Sequence, residues 1–177
     1  DRFTIGKTRF ETILTVGGGA GPIFGLGPIF NDVSCGVCHD SPSGGSGDKF
    51  VTRFGFFDEK KGEFDPLANK GGSLLQDEAI DPSCLESVDG SANVTAMRIT
   101  NSALGDGLIE AISVGDILAH ESPGPGVSGR AHMVPSFEDP VAILHVGRFG
   151  WKAQLASLLS FSADAALNEI GLTNQFL

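Results

Sequence analysis

Residues 35 to 39 read Cys-Gly-Val-Cys-His, two thiols three positions apart followed at once by an imidazole. Three chemistries use such a pair: a structural metal site, dithiol exchange, and covalent haem attachment through two thioethers with the histidine on the iron. Structural zinc wants four ligands, and Cys84, the one remaining cysteine, has no Cys or His at ligand spacing. A thioredoxin-like dithiol wants a strand before it and a helix after it, whereas residues 17 to 30, GGGAGPIFGLGPIF, are too rich in Gly and Pro for regular structure. That loop also lacks the G-x-G-x-x-G and P-loop lysine of nucleotide sites. The expectation is one covalent haem c, with Cys35 and Cys38 as the thioether residues, His39 as the proximal iron ligand and Phe30 in the pocket. Cys84 is expected to be an inert thiol.

The far side of the iron is less constrained. The chain has two methionines, Met97 and Met133, and three further histidines, His120, His132 and His145. A methionine ligand raises the potential, a second histidine lowers it, and an open position favours peroxide chemistry. Met97 sits in a helix-compatible pattern where packing is the ordinary role. Met133 follows His132 in the loop-like GRAHMVP, so it is the preferred distal candidate. His120 and His145 read as surface residues.

The remaining pattern predicts a mainly α domain over residues 1–177, a cytochrome-c-like helical haem domain with long Gly/Pro-rich loops. Core helices are expected over about 3–14, 92–119 and 151–170, with Thr4 and Ser113 as N-caps, Gly171 as a stop, and a break near Ser160 or Ser162. The Phe-rich run KFVTRFGFFDEKKGEFDP is open to a hairpin or to core packing. Residues 122 to 129, SPGPGVSG, are a breaker cluster. Asn93-Val-Thr95 matches the glycosylation sequon, a short pattern of little weight.

A formal net charge of -10 argues against nucleic-acid binding, which needs clustered Lys and Arg, and suits docking on basic redox partners or haem subunits. No apolar run approaches the roughly 20 residues of a membrane-spanning helix, and DRFTIGKTRF lacks a signal peptide's apolar core, so the chain reads as mature soluble protein.

The runs GLGPIFNDVSCGVCH, ANVTAMRIT, GLIEAI, VSGR and above all VGRFGWKAQLASLLSFSADAALNEIGLTN resemble the N-terminal haem region of bacterial di-haem oxidoreductases, a family of peroxidases or thiol oxidoreductases. The resemblance runs nearly end to end. It implies a cytochrome-c-like fold, export to the periplasm or cell exterior, and electron transfer or peroxide reduction. It places the haem on Cys35, Cys38 and His39 and makes Gly6 and Phe10 the pair at which the first helix crosses another closely. Arg148, Trp151 and Lys152 fall on the family's signature; because a guanidinium pairs bidentately with carboxylate and an indole N–H suits a buried acceptor, they are expected against the haem or its propionates, with a structural helix entry as the alternative. Two departures stand out. Relatives carry a second Cys-x-x-Cys-His domain beyond the segment matching LNEIGLTN, and this sequence has one such motif. The stretch His120 to Arg130 has a single carboxylate where relatives often have an Asp-rich loop, so calcium is not expected there.

Three functions follow as expectations. The first is an electron-transfer c-type cytochrome, free or as a subunit of a larger redox assembly. The second is the haem half of a di-haem peroxidase or oxidoreductase, and the third is a haem-stapled structural subunit that docks on partners.

Overall fold

Asp1 opens the first helix, α1 (Arg2–Glu11), by accepting the Thr4 main-chain N–H on Oδ1 at 2.8 Å. The cap is therefore Asp1, three residues before the expected Thr4, because a carboxylate satisfies an N-terminal N–H and complements the helix dipole. The computed structural model describes residues 1–17, 25–122, 124–126 and 128–177. Residues 18–24 of the expected 17–30 loop, with Pro123 and Val127 of the breaker cluster, lie outside the described residues.

The expectation of a mainly α chain is overturned: the structure is mixed, with 26% helix and 20% strand. After α1 come β1 (Ile29–Phe30), α2 (Cys35–Cys38), β2 (Phe50–Asp58), β3 (Glu63–Asp65), β4 (Glu78–Ala79) and β5 (Val94–Ile99). Then follow α3 (Asp106–Glu110), α4 (Val114–Ala119), β6 (Met133–Pro135), β7 (Leu144–Val146) and α5 (Leu158–Ile170). The strands form three antiparallel sheets among the described residues: β1–β4, β3–β2–β5 and β6–β7.

The largest error falls on 92–119. Val94, Met97 and Ile99 fit a helical stripe, yet the segment is β5, paired with β2 through Phe50–Ile99, Thr52–Met97 and Phe54–Thr95. Short apolar runs do not distinguish helix from strand by spacing, and the β-branched Val94, Thr95 and Ile99 favour the pleated surface that a long partner supplies. The Phe-rich run resolves as the β2–β3 hairpin, with Phe57 opposite Phe64. Further on, α3 and α4 do form, and Ser113 caps α4 by accepting the Asp116 N–H at 3.1 Å. The last helix starts at Leu158, not at 151, and continues through Ser160 and Ser162 to Gly171, whose φ of +72° gives the expected left-handed stop.

The chain divides into two compact units. The first comprises Asp1–Ala103 with Ala166–Leu172, the second Leu104–Ala165 with Thr173–Leu177. Leu14, Phe30, Phe54, Leu67, Leu74 and Ile170 are buried in the first; Val134, Val146, Phe149, Leu155, Ala156 and Ala163 are buried in the second.

Candidate haem-attachment site

In the first unit, the segment leading to the cysteines is anchored from several sides. Leu14 N–H donates to Val33 C=O at 2.8 Å, Ile80 N–H to Pro28 C=O at 3.0 Å, and Asn31 N–H to Glu169 C=O at 2.8 Å near the end of α5. Asn31 Nδ2 also donates to Glu169 Oε2 at 2.7 Å, and its Oδ1 accepts Asp77 N–H at 3.2 Å. A Cβ at Gly27 would overlap the backbone of Gly171, so this approach admits only a glycine.

Held this way, Cys35 to Cys38 form the single turn α2, closed by His39 N–H donating to Cys35 C=O at 2.9 Å. One turn puts both sulfurs on neighbouring positions and the imidazole directly after them. Phe10 of α1 packs on the His39 ring, centroids 5.8 Å apart and planes tilted by 55°. Among the described residues the expected close crossing at Gly6 is not made, since a Cβ there would meet nothing within 4 Å; the tight approach is at Gly36, where a Cβ would lie 3.2 Å from Glu11 Cα.

The electrostatics keep both thiols protonated. Burial pushes Cys35 up, with the charge of Glu169 adding to it. Burial, then the Asp32 and Glu169 carboxylates, push Cys38 up to about 12. Cys38 Sγ donates to Asp32 Oδ2 at 3.8 Å, and Lys49 Nζ pairs with the same oxygen at 3.3 Å. Such surroundings oppose the thiolate that zinc ligation or dithiol exchange requires. They do not oppose a thioether, which has no proton to lose and no charge to bury. Two buried polar atoms here, Ser34 Oγ and His39 Nδ1, have no hydrogen-bond partner among the described residues. The cysteine pair is not disulfide-bonded, and no group of three or more His, Cys, Asp or Glu suited to a metal ion occurs among the described residues. Two neutral sulfurs and one imidazole on a rigid turn fit a covalently attached haem.

The other predicted residues are placed as follows. Phe30 is buried in β1. Met97 lies exposed on β5 in the first unit, and Cys84, in the short helical turn Pro82–Cys84, is exposed as well. Met133, Arg148, Trp151 and Lys152 belong to the second unit, as do His120, His132 and His145. Met133 is half-exposed and lines a cleft of about 370 Å³ with Leu118, Leu144, His145 and Arg148. His145 Nε2 meets Asp139 Oδ2 at 2.5 Å on the same cleft.

The Arg-Phe-Gly-Trp-Lys run builds a tight loop. Arg148 and Phe149 N–H both donate to Leu155 C=O, at 2.9 and 3.0 Å, and Phe149 C=O accepts Leu155 N–H at 3.1 Å. His132 Nδ1 meets the Lys152 carbonyl at 2.9 Å. Arg148 Nη1 donates to Val146 C=O at 3.2 Å and Nη2 to Ile112 C=O at 2.9 Å, while Nε is buried with no partner among the described residues. Sequence reasoning missed Asp32, Lys49 and Glu169 around the sulfurs. Only the closeness of Asp32 to the motif hinted at any of them.

The donor set of this turn suits the class of redox haem proteins, and comparison with known families bears on that class independently. The family described as "Di-haem oxidoreductase, putative peroxidase" matches residues 78–177, more than half of the sequence. The chain belongs to that di-haem oxidoreductase family, whose description implies haem binding. The match covers the C-terminal part rather than nearly the whole chain, and begins after the Cys-x-x-Cys-His turn. No curated protein and no solved structure matches.

Proposed function

We propose that this chain is an electron-transferring haem protein of the di-haem oxidoreductase family, carrying one haem on Cys35 and Cys38 with His39 as axial ligand. The observation that carries the proposal is the α2 turn itself: two free, part-buried sulfurs kept neutral by their surroundings, with an imidazole directly after them. When bound, the group supplies a one-electron ferric–ferrous couple. The chain's part is to hold it. Cys35 and Cys38 fix its edge, Phe10 limits rotation of the His39 ring, and the contacts of Asn31 and Glu169 keep the turn in place. The net charge of -10 supports docking on basic redox partners, and covalent attachment of this kind supports an exported protein at the periplasmic or extracellular face.

The test is the intact mass of the mature chain with a denaturing haem stain. One haem that survives denaturation supports the proposal, and its retention in Cys35→Ser together with Cys38→Ser sinks covalent attachment. The choice of Met133 as sixth ligand is tested on the same samples. A ferric sulfur-to-iron charge-transfer band lost in Met133→Ala supports it, and one lost in Met97→Ala replaces it.

A second reading, the haem half of a peroxidase, is favoured by the family's description and by the His145–Asp139 acid–base pair on the cleft. A high-spin ferric protein that reacts quickly with peroxide, and slowly in His145→Ala, selects that reading over the carrier.

A further inference from the structure

Asp32 and Lys49 form an ion pair beside Cys38 that attachment itself does not use. Asp32 Oδ2 accepts from Cys38 Sγ at 3.8 Å and meets Lys49 Nζ at 3.3 Å, while Oδ1 accepts Val33 N–H at 2.8 Å. The carboxylate is thus held at both oxygens, and its side chain is 17% exposed against 52% for Lys49. A charge fixed in place and largely shielded from water acts more strongly on its neighbours than a mobile surface charge. Glu169, tied to Asn31 at 2.7 Å, adds negative charge that reaches both sulfurs.

We infer that Asp32 sets the reduction potential of the haem held at Cys38 and that Lys49 offsets part of its effect. The inference rests on the haem reading above. A thioether at Cys38 would join the macrocycle to the sulfur that Asp32 contacts at 3.8 Å, which puts this carboxylate close to the point of attachment. Adding one electron to ferric iron removes one positive charge, so a fixed carboxylate favours the ferric form and lowers the potential. Lys49 is the outer, half-exposed member of the pair, and its ammonium weakens that field.

The test is potentiometric titration of the haem-loaded chain as wild type, Asp32→Asn, Lys49→Gln and the double variant, with haem content read by mass in each sample. Asp32→Asn is expected to raise the ferrous-to-ferric ratio at a fixed applied potential about threefold to tenfold, at most ~59 mV at 59 mV per factor of ten for one electron. Lys49→Gln is expected to move it the other way by a smaller factor, and that shift shrinks in the Asp32→Asn background because the Asp32 carboxylate is what holds the half-exposed ammonium near the sulfur. Lys49 is exposed enough for its variant to fold even if Asp32→Asn does not. An unmoved or lowered potential in haem-loaded Asp32→Asn, or a raised one in Lys49→Gln, overturns the inference and leaves the haem reading standing. A wild-type chain without covalent haem overturns both.

Discussion

Asn93 clasps the main chain of Phe57 across the β2–β5 pair: its Oδ1 accepts Phe57 N–H at 2.7 Å and its Nδ2 donates to Phe57 C=O at 3.0 Å. These bonds lie where β2 turns from pairing with β5 to pairing with β3, so one amide serves two groups that would otherwise have only water. Asn93→Ala should destabilise the protein by about 1–2 kcal/mol, read as a lower urea midpoint at unchanged slope. Asn93→Asp keeps the acceptor and should lose less. The same amide is the acceptor of the Asn93-Val-Thr95 sequon, and in this fold its nitrogen is already engaged.

The cysteines make the haem-free chain sensitive to alkali. Burial first, then Asp32 and Glu169, raise Cys38 to about 12, above its ordinary value, and burial raises Cys35 in the same direction. A thiol raised in the folded state holds its proton there after the unfolded chain has released it. Its contribution to stability is therefore complete below the unfolded thiol value and is lost as pH climbs towards the folded one. The urea midpoint of the haem-free chain should fall from about pH 9 towards pH 11. Alkylation of Cys38 at pH 8 should be at least about tenfold slower than in the unfolded chain, with exposed Cys84 reacting first. Equal rates for folded and unfolded chain would contradict the neutral-thiol description.

Gly47 is pressed against the turn it supports. A Cβ there would overlap the Cys38 carbonyl oxygen, and that neighbour is backbone, which cannot swing aside. Gly47→Ala must shift either the α2 turn or the approach to Lys49, at an expected cost of about 1–3 kcal/mol with weaker haem incorporation. Gly90→Ala is the control, because a Cβ there meets nothing within 4 Å among the described residues and its backbone is not in the left-handed region.

How far these features are legible in the sequence depends on how local their causes are. The Cys-x-x-Cys-His turn, the Ser113 cap and the Gly171 stop each follow from a few consecutive residues, and each is found where expected. The strand at Val94–Ile99 was not legible, because its partner at Phe50–Gly55 lies about forty residues away and the apolar spacing suits either structure. The sulfur surroundings were hidden for a related reason. Asp32 is near in sequence, but Glu169 arrives from the end of α5, and no local pattern announces that a carboxylate 134 residues beyond Cys35 raises its thiol. Arg148 was singled out by resemblance alone, and the work it does in the structure lies on main-chain carbonyls.

That placement makes Arg148 a brace for its own loop. Its Nη1 and Nη2 reach two carbonyls, Val146 and Ile112, in different segments of the second unit, and the fork of the guanidinium is what lets one side chain serve both. Arg148→Ala removes two charge-assisted bonds and should cost about 2–4 kcal/mol by urea unfolding. Arg148→Lys should recover little of it, since one ammonium on a flexible stem does not reproduce a planar fork. Haem spectra and potential separate this role from the propionate contact expected of a guanidinium beside a carboxylate. A brace loses stability while the spectrum of the folded fraction stays unchanged. A propionate partner would do the reverse, shifting potential and spectrum in both variants with the urea midpoint nearly unmoved.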